Sequence, residues 1–253
     1  MDSWEIRTLG AAEVLLDSQP VVWQTTKAKE LFFYLLTHSA GRLKGEIIAN
    51  LWEEEISPKT STRLRVTAYR IRRALNHGQF LRRSGDLYRL HPELLELSDA
   101  QRFLRALAAA RATPDQSMRL ALYRQALGWY HGDYLAGFCP EWGLERQEQL
   151  KSAFSQGLTE SAFLACTLRR CREASEWFQQ VARADPYSEE RVHRKVMCCL
   201  ATLEGADTAI SYYRKYRVFL RQELDDTPMP ETVDLSQQIK ERKSVCQGPV
   251  THL

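Results

Sequence analysis

The chain has 253 residues, 35 of them basic and 32 acidic, so the net charge of +3 is by itself no signature of a nucleic-acid partner. With 44% hydrophobic and 26% charged residues it has the apolar surface for packed cores, which excludes global disorder, and its length suits two domains of ordinary size. The longest apolar runs, 31–36 and 196–201, have six residues each against the ~20 that cross a bilayer, so no membrane span is expected. The opening residues, MDSWEIRTLG, include Asp2 and Glu5 and lack the basic-then-apolar pattern of a secretory signal, so a cytoplasmic protein is expected.

In chain order, residues 4–9, 13–16 and 21–23 read as short strands of a small amino-terminal sheet. Residues 27–38, KAKELFFYLLTH, read as a mostly buried helix, and 44–52 as a second, shorter one. A third spans 58–75, because Leu64, Ala68, Ile71 and Leu75 recur at offsets 0, 4, 7 and 11 and make one apolar stripe. Ser57 is a good cap, Pro58 suits the first helical position and Gly78 is the expected stop. At 100° per residue, Thr62, Arg63, Val66, Tyr69, Arg70 and Arg73 fall opposite the stripe, while Arg65 and Arg72 form a separate flank. Residues 79–83 and 87–90 then read as a hairpin around Ser84, Gly85 and Asp86.

Charge is segregated along this stretch. Between Lys59 and Arg83 stand eight basic residues and no acidic one, immediately after Glu53, Glu54 and Glu55. Such a run is often only a solvated face, but here the periodicity gathers it on one side of a helix. The expected core of this part is Leu31, Leu35, Ile47, Leu51, Trp52, Leu64, Ala68, Ile71, Leu75 and Leu90, enough for residues 1–96 to fold alone.

From Ser98 onward the pattern is helical, with helices expected near 98–112, 115–130, 141–166, 172–184, 188–203, 206–224 and 231–243. Ala174 with Phe178 and Ala209 with Tyr213 are 35 residues apart, close to the ~34 of tetratricopeptide repeats, and are expected to pack stacked helix pairs. The six cysteines form no CxxC pair and are expected to act as small buried hydrophobes. Glu190 and His193 make one ExxH without the second that a di-iron bundle needs, so no metal is expected and His193 is read as a polar surface residue. His131 and Asp133 could be drawn as an acid/base pair, but HGD is read as a break between helices, and no enzyme is expected. There is no GxxxxGK[ST] or GxGxxG, so no nucleotide cofactor is expected.

Strands, three helices and a hairpin in this order resemble the winged helix-turn-helix of the OmpR/PhoB type, and LWEEE, LRVTAYRIRRAL and GDLYRL carry the resemblance. The whole is similar to the Streptomyces antibiotic regulatory protein family. Its landmarks follow in order: DAQRF at 99–103, ALGWYHGDYLAGF at 126–138, Trp142 with Glu145 and Arg146, DPYSEERVHRKVM at 185–197, YYRKY at 212–216 and ELDDTPMPET at 223–232. The resemblance implies a mainly α fold with a small β component. It places a winged-helix DNA-binding domain at 1–96, a tetratricopeptide-like bacterial transcriptional activator domain at 97–243 and a disordered tail at 244–253.

The implied function is sequence-specific binding to direct repeats in promoter DNA by tandem protomers, with recruitment of RNA polymerase through its sigma and alpha subunits. In that setting Arg63 and Arg70 would offer bidentate donors to guanine, and Val66 or Thr67 would meet a thymine methyl. Arg73, Tyr69 and Lys59, with Arg82 and Arg83 of the wing, would hold phosphates. The rival reading is a repeat-type adaptor whose winged helix binds protein and does not read DNA.

Overall fold

The computed structural model describes residues 3–138 and 140–246, and among them helices dominate beside two three-stranded sheets. Strands β1 (Trp4–Arg7), β2 (Glu13–Leu16) and β3 (Gln19–Pro20) form an antiparallel meander. Asp17 and Ser18, with φ of 50° and 64°, make a two-residue turn between β2 and β3. Two left-handed residues match the twist of a hairpin, so the chain reverses at once and the third strand precedes the expected 21–23. Neither residue is the glycine that would have announced it.

Helix α1 (Thr26–Thr37) starts at Thr25, whose hydroxyl accepts from the Ala28 N–H, and buries Leu31 through Leu36. Helices α2 (Lys44–Trp52) and α3 (Pro58–Ala74) follow, then β5 (Leu81–Ser84) and β6 (Leu87–Leu90). A two-residue strand β4 (Arg42–Leu43) joins them in the order β4-β6-β5, too short to be read as a pattern. Gly41 permits it: φ is +92°, and a Cβ there would lie 2.7 Å from the Tyr88 carbonyl oxygen. Of the expected core residues, all are buried except Trp52, which is half-buried.

The helical part comprises α4 (Pro92–Glu96), α5 (Asp99–Ala112), α6 (Gln116–Trp129), a 3-10 turn (Glu141–Gly143), α7 (Leu144–Thr167), α8 (Cys171–Ala184), α9 (Glu190–Leu203), α10 (Ala206–Glu223) and α11 (Pro230–Lys240). The chain divides into two compact units, residues 1–108 with 125–153 and residues 109–124 with 154–253. This packing division differs from one at residue 96. In the first unit the buried Asp99 carboxylate accepts from Thr8 N–H at 2.8 Å, Leu9 N–H at 3.0 Å and the Thr8 hydroxyl at 2.5 Å. Leu9 bridges Tyr134, and a Cβ on Gly10 would press on the His131 backbone at 3.1 Å. HGD is thus where the chain crosses close over the amino-terminal sheet. A fragment ending at residue 96 lacks these partners and does not carry this unit's whole core.

In the second unit α8 packs on α9, α9 on α10 and α10 on α11, and Ala174, Phe178, Ala209 and Tyr213 are all buried between them. The 35-residue spacing is therefore a packing repeat. His193 departs from expectation: it is buried, stacked on Tyr216 at 3.9 Å between ring centroids, with Nδ1 2.7 Å from the Tyr212 hydroxyl. Helical spacing puts it on the inner face beside Val192 and Val196, and the tyrosine hydroxyl makes its burial tolerable. Cys139 and residues 247–253 of the expected tail lie outside the described residues.

Candidate nucleic-acid interface

The local sequence of α3 fixes both its ends. Ser57 Oγ accepts from Thr60 N–H at 3.1 Å while Thr60 Oγ1 accepts from Ser57 N–H at 2.8 Å, and Pro58 takes the first position. Leu64, Ala68 and Ile71 are buried, as is Leu75 just past the last turn. The helix stops at Asn76, which adopts φ of 47°, while Asn76 N–H bonds Arg73 O at 3.2 Å and His77 N–H bonds Arg72 O at 3.3 Å. Asn76 therefore takes the terminating role expected of Gly78.

Lys59, Thr62, Arg65, Val66, Tyr69 and Arg73 are exposed on the outer face, with Arg63 and Arg70 half-buried at its margin. Tyr69 is 60% exposed and Val66 42%, so two large side chains with apolar surface stand in water among arginines. Thr67 is only 3% exposed and its hydroxyl donates to the Arg63 carbonyl at 2.9 Å, which takes it off this surface. It flanks the apolar stripe, so it turns inward. Arg65 belongs with the face it was set apart from, its guanidinium donating to Thr62 Oγ1 at 2.9 Å. Arg72 instead pins the helix to the wing, Nε donating to Leu81 O at 3.0 Å. Arg63 lies over the Trp52 ring and bonds Glu54 at 2.6 Å.

The hairpin turns through Gly85 and Asp86, and Gly85 has φ of +60°. Its register sets Arg82 directly opposite Arg89, both exposed. Like charges facing each other across a strand pair oppose folding, so the pair is an unrelieved positive site. Arg89 escaped the sequence reading, although extending the Ser84↔Leu87 register by two residues would have found it. Arg83 is engaged locally, with Nε donating to Gly85 O at 2.7 Å and the guanidinium 3.7 Å from the Asp86 carboxylate.

Of the eight basic residues from Lys59 to Arg83, ion pairs among the described residues engage only Arg63 and Arg83. Arg72 is tied to the Leu81 carbonyl, and Lys59, Arg65, Arg70, Arg73 and Arg82 carry charge with no ion pair among the described residues, on one helix face and one hairpin. Exposed guanidinium forks beside an aromatic ring and a β-branched side chain can donate in pairs, hold phosphate and make apolar contact. Among the described residues no His, Cys, Asp or Glu group of three or more could hold a metal, and no helix is long and apolar enough to cross a membrane.

The profile of the bacterial transcriptional activator domain matches residues 98–240. The chain is 27% identical over 207 residues to the regulatory protein AfsR of Streptomyces griseus, covering 81% of this chain and 21% of that protein. It is 26% identical over 235 residues to the AfsR of Streptomyces coelicolor, covering 91% and 24%. The chain thus spans less than a quarter of the length of these relatives. A solved structure of Mycobacterium tuberculosis EmbR, in complex with a low affinity phosphopeptide, matches 96% of this chain and 66% of that one with a TM-score of 0.75 at 18% identity. That likeness is one of fold.

Proposed function

The chain belongs to the bacterial transcriptional activator domain family, and from that premise we propose that it is a sequence-specific DNA-binding activator of the Streptomyces antibiotic regulatory type. The observation that carries this reading is the outer face of α3, where Val66 and Tyr69 are exposed among arginines of which only Arg63 has an acidic partner among the described residues. In this proposal α3 lies in the major groove. Arg70 reads a guanine edge, Val66 meets a thymine methyl, and Arg63 joins once it leaves Glu54. Lys59, Arg65, Tyr69 and Arg73 hold phosphates on the helix side, and Arg82, Arg83 and Arg89 do so from the wing.

The remaining roles follow the family. Residues 1–96 supply the DNA contacts, and the activator domain at 97–243 supplies the surface for RNA polymerase, through its sigma and alpha subunits. Protomers sit in tandem on direct repeats, where each neighbour raises the effective concentration of the next. Selection of bound duplexes from a random pool tests the reading. It predicts enrichment of one short motif repeated in the same orientation at fixed spacing, and a pool that stays random after several rounds contradicts it.

A further inference from the structure

One side of α9 carries charge that the packing of the second unit does not use. Arg191, Arg194, Lys195 and Cys198 stand at offsets 0, 3, 4 and 7, so they share one face of the helix. That face lines a cavity of about 720 Å³. Phe163 of α7 and Leu235 and Gln238 of α11 form other walls, with Arg169 from the turn after α7 and Val245 from the segment after α11. Small-molecule sites run to roughly 300–1,000 Å³, and this volume falls among them.

The lining holds four cationic side chains against a single carboxylate, that of Glu231. Arg191 is already neutralised, because its Nε lies 2.5 Å from Glu189, a residue outside the cavity, and its guanidinium is seated over the Phe163 ring. The other three are not. Arg194 is steadied by donating to the Thr232 hydroxyl at 3.2 Å, a neutral partner, and neither Lys195 nor Arg169 has an ion pair among the described residues. With Glu231 set against one of these three, two positive charges remain. Cys198 does not offset them, since burial pushes its thiol up to about 11 and it stays neutral, donating to the Val245 carbonyl at 3.7 Å. Phe163, Leu235 and Val245 supply the apolar part of the wall.

We propose that this cavity is a binding site for a small organic phosphate. A phosphate monoester carries close to two negative charges near neutrality and three strong acceptor oxygens, so it balances the surplus that one carboxylate would leave half-compensated. Its phosphoryl group is held by Arg194, Lys195 and Arg169, where the guanidinium forks can donate in pairs. Its apolar body lies against Phe163 and Leu235. Such a ligand bridges α9, α11 and the turn after α7, and stabilises the folded unit by mass action.

The probe for the test is methylumbelliferyl phosphate, a fluorescent aromatic monoester, titrated into the full chain near neutral pH and followed by its anisotropy. Saturable binding at one site per chain is expected. Methylumbelliferone, which lacks the phosphoryl group, and inorganic phosphate, which lacks the apolar body, should compete at least about tenfold more weakly. Lys195→Gln and Arg169→Gln should each weaken the probe by about tenfold or more, because each removes a charge-assisted hydrogen bond. Arg214→Gln, which removes an exposed charge of α10 outside the cavity, should bind as the wild type does. Arg169 holds a left-handed φ of 58°, so if its variant does not fold, the half-buried Lys195 carries the comparison. No binding, either comparator binding as tightly as the ester, undiminished affinity in folded Lys195→Gln, or an equal loss in Arg214→Gln would overturn the proposal.

Discussion

On the outer face of α3, Arg70 and Arg73 stand without an acidic partner among the described residues, whereas in the helical unit Arg124 makes two bonds to Glu173 at 2.6 and 2.7 Å. There too Arg111 and Tyr123 share Glu160, at 2.9 and 2.7 Å, and burial with this carboxylate pushes Tyr123 up to about 12. Exposed pairs of this kind contribute at most about 1 kcal/mol each, so their number says little about stability. Their distribution says more. These arginines of the helical unit are held by carboxylates of their own unit, while most of the basic run of α3 and the wing has no such partner among the described residues, and Arg82 facing Arg89 keeps its charge at some cost to folding.

The largest effect expected from this contrast is in the helical unit. Phe178 is fully buried against Phe163, with ring centroids 4.9 Å apart, so Phe178→Ala should cost about 3–5 kcal/mol in urea unfolding. If that region is scaffold for another surface, the duplex preference proposed for α3 and the wing should not change. A shifted preference in the folded variant would merge the two roles. Next in size, Arg70→Ala should lose ~1–3 kcal/mol of discrimination at one base position, while Arg82→Ala should weaken all duplexes alike. Competition binding with single-position operator variants separates the two patterns.

A smaller effect is expected where the two charge regimes touch. Glu54 bonds Arg63 at 2.6 Å, so Glu54→Gln should release the guanidinium and tighten duplex binding by about 0.2–1 kcal/mol at low salt. Fluorescence anisotropy would detect the change, and weaker binding would make Glu54 an orienting partner of Arg63 instead of a competitor. The weakest effect is a pH dependence. Burial holds His193 below its ordinary value of 6.5, so below that pH the unfolded chain binds more protons than the folded one. Stability should be flat above pH 6.5, decline as pH falls from there and level off below the folded-state value. His38, also lowered by burial, adds the same sign in the other unit. Urea midpoints between pH 8 and 5 measure the slope, which His193→Gln should reduce.

What the sequence made legible was whatever local period controls. The apolar stripe of α3, the bounds of α2 and the helices from α5 to α11 were all readable, because each depends on residues three or four apart. Features set by distant partners were hidden. β4 exists because Gly41 lets the chain approach Tyr88, and His193 is buried because Tyr212, nineteen residues on, meets its ring nitrogen. At the interface, Arg70 and Tyr69 followed from the wheel, but Thr67 lies close enough to the stripe that the packing of α1 and α2 against α3 decides its direction. Arg89 needed the hairpin register as well as the strand.

The proposed function requires the uncompensated charge of α3 and the wing to engage a duplex. Anisotropy of the full chain on its selected duplex, titrated from low to high salt, measures this most directly. Neutralising about 5 phosphates per protomer predicts a log–log slope near −4 to −5, reduced by about 1 in Arg82→Ala, with tighter binding to the selected duplex than to a scrambled one throughout. A flat salt dependence, or equal affinity for the two duplexes, would contradict it.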